Sequence, residues 1–196
     1  MKRIILWIVF LLLLFSKNVY AVYYDLSDEQ IKQALEFGEK NKDMDNTAFL
    51  NEWMSLSNER YEWAALNTKF SILAYEAKQA ALASKNLTKP QILQFMSEVE
   101  ETLSFHVVLY GSSPDFACSY QAVLLYKNKP IRPILEHNDE HAKAANLGMR
   151  IPLIYRAMCR YDFPNYYIEP VAEVTLVIIS PLNKERQFTF DLSKMR

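Results

Sequence analysis

An α+β fold is expected, with a helical segment over 22–102 packed on an antiparallel β-sandwich over 103–196. Three observations predict it. Apolar residues recur every three to four positions from Ser27 to Glu101, the rhythm of helices with one buried face. From Leu103 the rhythm changes to two, as Phe105, Val107 and Leu109 alternate with His106, Val108 and Tyr110. Val171 to Leu192 then reads VAEVTLVIISPLNKERQFTFDL, with Pro181, Asn183 and Lys184 in a turn between two alternating runs. Val174, Leu176 and Ile178 share one face, and Phe188, Phe190 and Leu192 share the face that returns beside it. Val177 and Ile179 make the first strand apolar on both sides, so it belongs inside a sheet that is covered twice.

Met1 to Ala21 has the layout of a secretory signal peptide. Lys2 and Arg3 lead, Ile4 to Phe15 is an apolar run of 12 residues, and Val19-Tyr20-Ala21 closes it. A spanning helix needs about 20 apolar residues, so this run is too short to serve as an anchor. The expected mature chain starts near Val22, lacks a membrane span and lies in the periplasm or outside the cell. Losing Lys2, Arg3 and Lys17 with the leader leaves 19 basic against 23 acidic residues. A mildly acidic chain without a basic stripe is a poor nucleic-acid binder. The acidic excess falls before Leu103, but net charge fixes no fold.

About four helices are expected. Ser27 and Gln30 form a capping box ahead of Ile31, Ala34 and Leu35, and Gly38 offers an ending. A short helix over Ala48–Leu56, capped by Asn46 or Thr47, buries Phe49, Leu50, Trp53 and Met54. The longest should run from Asn58 to Lys85, because Trp63, Leu66, Phe70, Leu73, Ala77, Ala80 and Ser84 follow a spacing of three and four. Its tail shrinks to Ala and Ser, which lets a neighbouring backbone approach. Thr88 and Gln91 cap a fourth helix around Pro90, with Ile92, Met96 and Val99 on one face.

About six strands follow. After Leu103–Tyr110 come Ser119–Tyr126, an edge or irregular piece around Ile131 and Ile134 marked by Pro130 and Pro133, Ile151–Tyr161, and the final hairpin. Regular turn signals suggest a sandwich or partial barrel, of which an immunoglobulin-like topology is one form. The β segment contains no Trp, so the Cys-Trp-Cys arrangement of antibody domains is absent. Cys118 and Cys159, an even pair in an exported chain, are expected to form a disulfide tying two parts of that segment.

Three candidate sites emerge. His137-Asn138-Asp139-Glu140-His141 matches H-x-x-E-H, and so resembles the zinc motif of pitrilysin-type metallopeptidases. In that family two His on one helical face bind zinc and the Glu acts as base. Here Asn138 reads as the cap of a short helix, which leaves His137 outside it, so a solvated polar insertion is preferred over a metal site. Tyr161, Phe163, Tyr166 and Tyr167 form an aromatic cluster that could stack on sugars or on a partner, though closing one end of the sandwich is the preferred reading. His106 reads as a satisfied core or edge histidine. Ser112 and Ser113 beside Asp115 lack the Gly-x-Ser-x-Gly setting of a hydrolase nucleophile.

Leu26-Ser27-Asp28-Glu29-Gln30-Ile31 and the closing FTFDLSKMR, Phe188 to Arg196, resemble a group of small exported bacterial proteins without assigned activity. The resemblance implies a shared fold and secretion and transfers no site residues. No constellation joins nucleophile, base and orienting group. The expected role is therefore a non-enzymatic binding or accessory module of the bacterial cell envelope, without a cofactor and with an unknown protein or envelope component as partner. A zinc-dependent hydrolase using His137, Glu140 and His141 is the alternative.

Overall fold

The structure, a computed structural model, describes residues 22, 24–57, 61–99, 101–145 and 154–196. The expected leader, 1–21, lies outside them. Among the described residues are four α-helices: α1 (Asp28–Lys40), α2 (Asn46–Leu50), α3 (Lys69–Leu82) and α4 (Lys89–Ser97). Ten strands accompany them: β1 (Met54–Leu56), β2 (Trp63–Asn67), β3 (Thr102–Gly111), β4 (Gln121–Tyr126), β5 (Lys129–Ile131), β6 (Leu135–His137), β7 (Lys143–Ala145), β8 (Ile154–Pro164), β9 (Glu173–Ile179) and β10 (Glu185–Asp191). They make two antiparallel sheets. One has the order β1-β2-β3-β8-β6, with β7 also pairing to β8, and the other has the order β10-β9-β4-β5. No helix among the described residues is long and apolar enough to cross a membrane.

The final hairpin forms as expected. Leu176 stands opposite Phe188 on one side and Leu124 on the other, which places β9 inside its sheet and explains why Val177 is also buried. Lys127 and Asn128 both take positive φ (49° and 60°), the two-residue geometry that matches the twist of a hairpin, and so join β4 to β5. One apolar core contains Phe105, Val107, Tyr161 and Phe163 of the first sheet, Leu124, Leu176, Phe188 and Phe190 of the second, and Ala34, Phe70 and Leu73 of the helices. The rings of Phe105 and Phe190, on different sheets, lie 5.0 Å apart.

The helical segment needs two corrections. The helix expected over Ala48–Leu56 ends at Leu50, passes through one 3-10 turn and becomes β1. Its cap is Asp45, whose Oδ1 accepts from the N–H groups of Thr47 and Ala48 at 3.0 Å. The long helix expected from Asn58 is not formed either: Trp63–Asn67 is β2, pairing with β1 and β3. Thr68 and Ser71 make a reciprocal cap that starts α3 only at Lys69. The apolar spacing through Trp63 and Leu66 suits a strand equally well, because positions three apart also fall on opposite faces of a pleat and both faces of β2 are covered.

Gly38 does not end α1, which continues to Lys40. It marks where α1 crosses α3. A Cβ built there would lie 2.1 Å from the Ala74 carbonyl oxygen and 2.7 Å from the Ala77 Cβ. Of the small residues expected to admit a close neighbour, Ala77 does so, with Ala74 beside it. Lys78, buried beside them, donates to the carbonyls of Lys42 (2.6 Å) and Met44 (2.5 Å) and holds the loop after α1. Gly38→Ala should destabilise the fold by about 1–3 kcal/mol through overpacking, although Ala is the better helix former by about 1 kcal/mol. Urea unfolding measures this; a stabilised variant would mean that the two helices separate without penalty.

Candidate functional site

Strand alternation in the first sheet sends Ala157, Cys159, Tyr161 and Phe163 into the core and turns Arg156, Met158 and Arg160 to the opposite face. Register continues that face across the sheet. Trp63, Val108 and Met158 form one row; Met54, Ala65, His106 and Arg160 form the next; Tyr110 and Arg156 pair beyond them. Helices α2 and α3 and the turn after α4 rise beside these rows. They enclose a cleft of about 820 Å³, within the usual ~300–1,000 Å³ of small-ligand sites. Leu50, Ile72, Tyr75 and Val99 supply apolar wall, and Glu76 and Glu98 supply its acidic part.

The charges are arranged unevenly. Arg160 is committed to Asp162 by two hydrogen bonds, Nε to Oδ1 at 3.0 Å and Nη2 to Oδ2 at 2.9 Å. Arg156, four residues back on the same face, is exposed and has no ion pair among the described residues. Desolvation by the cleft, and then the positive charge of Arg160, lower the His106 pKa, partly offset by Asp162. His106 is thus neutral at pH 7 and can give or take a hydrogen bond. Desolvation, and then the charge of Glu98, raise the Glu76 pKa.

A carboxyl whose pKa is raised on folding costs stability wherever it must ionise. Glu76→Gln should therefore melt at a higher temperature than the parent at pH 7. That gain should vanish below about pH 4, where Glu76 is protonated folded and unfolded alike. Thermal melts of the two chains at matched pH test the sign and cancel the contribution of His106.

The residues singled out from the sequence do not assemble into one site. The H-x-x-E-H segment forms no helix. His137 ends β6 opposite Arg160, and His141 lies in the bend before β7. Asp139 fixes that bend, its Oδ1 accepting from the His141 N–H at 3.1 Å and its Oδ2 from the Met158 N–H at 3.2 Å. The expected helix cap at Asn138 is corrected as well: its Nδ2 donates to the Tyr120 carbonyl at 2.8 Å and its Oδ1 accepts from the Tyr161 hydroxyl at 2.6 Å. Among the described residues no three His, Cys, Asp or Glu side chains are grouped to hold a metal ion.

The aromatic cluster is divided. Tyr161 and Phe163 are fully buried in the core, whereas Tyr166 and Tyr167 are 70% and 63% exposed with ring centroids 3.9 Å apart. Burial was expected for all four, but the chain leaves β8 at Pro164 and the last two rings fall on a surface turn. The expected disulfide is not formed: Cys118 and Cys159 are free thiols. Cys159 is buried on β8, and burial raises its pKa. Cys118 is exposed and its thiol reaches the Glu140 carbonyl at 3.5 Å.

The cleft residues Trp63, Glu76, Glu98, His106, Arg156 and Arg160 were missed as a group. Only the alternation of Arg156, Met158 and Arg160 with Ala157, Cys159 and Tyr161 signals an exposed, charged strand face in the sequence.

No family model matches the chain, and no curated protein does. The chain is similar in structure to a protein of unknown function from Burkholderia pseudomallei K96243, solved by crystallography. The two are 7% identical, the match covers 86% of this chain and 91% of that one, and the TM-score is 0.40.

Proposed function

We propose that this chain is an exported, non-enzymatic binding module of the cell envelope, and that its ligand rests in the cleft over β1, β2, β3 and β8. The carrying observation is the convergence of Trp63, Tyr75, His106, Arg156, Glu76 and Glu98 around one concavity. The sequence offers no constellation of nucleophile, base and orienting group, which supports holding a ligand over transforming it. The contact between Phe105 and Phe190 supports stacking of the two sheets as a sandwich, which would make the cleft floor a rigid plate. The leader-like start supports export.

Native mass spectrometry tests the reading. The mature chain is incubated with the small-molecule fraction of a bacterial envelope extract and desalted. A mass adduct should appear on the parent chain and be lost in Ala65→Leu, which fills the floor, and in Thr47→Trp, which blocks the rim. No adduct, or an equal adduct on all three, would reject it. Zinc added to the same chain should not bind at unit stoichiometry. If it does, and His137→Ala and His141→Ala each abolish it, the zinc-dependent hydrolase takes precedence.

A further inference from the structure

We infer that the occupant of the cleft is a short peptide with free ends, lying extended across the sheet face with its ammonium group toward Glu76 and Glu98 and its carboxylate toward Arg156. The inference rests on the cleft being the ligand site. It adds the chemistry of that ligand.

The polarity of the cleft is the argument. Glu98 lies four residues before Thr102, where β3 begins, and acts electrostatically on Glu76. Arg156 pairs in register with Tyr110, at the opposite end of β3. Neither Glu76 nor Glu98 has a basic partner among the described residues, and Arg156 has no acidic one. An anionic ligand alone would face the two carboxylates, and a cationic ligand alone would face Arg156. A zwitterion with well-separated ends satisfies both.

The separation sets the length. Asn67 lines the cleft and pairs with Ser104, and Arg156 pairs with Tyr110, so the cleft runs along six strand steps of β3, on the order of 20 Å at about 3.4 Å per residue. An extended peptide of about six residues spans that distance, and five suffice where the Glu and Arg side chains reach toward its ends. The floor between the ends carries Ala65, Trp63, Val108 and Met158, and Met158 is 54% exposed although apolar. Apolar peptide side chains can cover it. Neutral His106, midway, can hydrogen-bond a peptide carbonyl or N–H without adding charge.

Isothermal titration with the peptide Ala-Leu-Phe-Leu-Ala tests this, using its free form, its N-acetylated form and its C-amidated form. The parent chain should bind the free peptide, and each block should weaken binding at least tenfold. Glu76→Gln with Glu98→Gln should no longer distinguish acetylated from free peptide. Arg156→Gln should no longer distinguish amidated from free. All three positions are on the cleft surface, and circular dichroism checks that the variants fold. Blocked peptides that bind within twofold of the free one, or discrimination that survives in the variants, would overturn the inference. If no peptide binds while the cleft-dependent adduct persists, the peptide is wrong and the cleft reading stands. Peptide binding undiminished in both Ala65→Leu and Thr47→Trp would place the site elsewhere and overturn both.

Discussion

Glu62→Ala should lower the unfolding free energy by about 3–5 kcal/mol, the usual cost of stranding one half of a buried ion pair. Glu62 is 2% exposed, and the Arg186 side chain is 10% exposed. Arg186 Nε, from β10, lies 2.9 and 2.8 Å from the two carboxylate oxygens of Glu62. The same carboxylate accepts from the Tyr110 N–H of β3 at 3.0 Å, and the guanidinium stands over the Tyr120 ring. One carboxylate thus joins the two sheets. Removing it leaves a cation and an amide buried with a partner lost. An apolar replacement of both residues, Glu62→Leu with Arg186→Met, should cost much less than either single change, since two desolvated charges disappear together. Urea denaturation of the three variants checks the order. A loss under about 1 kcal/mol for Glu62→Ala would show that the sheets hold without the pair.

Trp53→Ala should cost a similar amount, about 3–5 kcal/mol, by opening a cavity under the helices. Trp53 is fully buried, and its ring centroid lies 6.1 Å from Phe37, 6.5 Å from Phe49 and 6.2 Å from Phe70. Its indole N–H also donates to the Arg196 carbonyl at 2.9 Å. Arg196 is held in turn by Glu52 and stacks over Phe37 and Phe70, each 4.7 Å away. Trp53→Phe keeps most of the volume and loses that hydrogen bond, so it should cost about 1–3 kcal/mol. Calorimetry separates the two contributions. Equal effects from Ala and Phe would mean that the hydrogen bond, and not the packing, holds this corner.

Both predictions concern contacts between residues far apart in sequence, and this is where the sequence was least legible. Ser27 with Gln30, and Thr88 with Gln91, are local devices whose hydrogen bonds close within three residues, so those two helix starts were readable. The hairpin from Val174 to Phe190 was equally readable, since one strand's alternation and one turn specify it. Trp63–Asn67 was not, because a run that is apolar on both sides fits a buried strand or a helix. Only the vacancy between β1 and β3 decides which it becomes. The cleft belongs to the same class. Arg156 and Arg160 announce an exposed strand face, but nothing near them in sequence says that Glu76 and Glu98 will stand over it.

Side-chain rhythm and local caps determined, without reference to anything distant, that helices begin at Asp28 and Lys89, that an alternating strand begins near Leu103, and that a hairpin joins Glu173–Ile179 to Glu185–Asp191. These features depend on interactions within a few residues, and their free energy is written in adjacent letters. Tertiary structure alone decided that β2 joins the sheet, that Gly38 is a crossing point, that Cys118 and Cys159 remain thiols, and that a charged concavity forms over the sheet. Each of these depends on which surfaces meet once the apolar faces are buried together, and burial carries no direction that a sequence could spell.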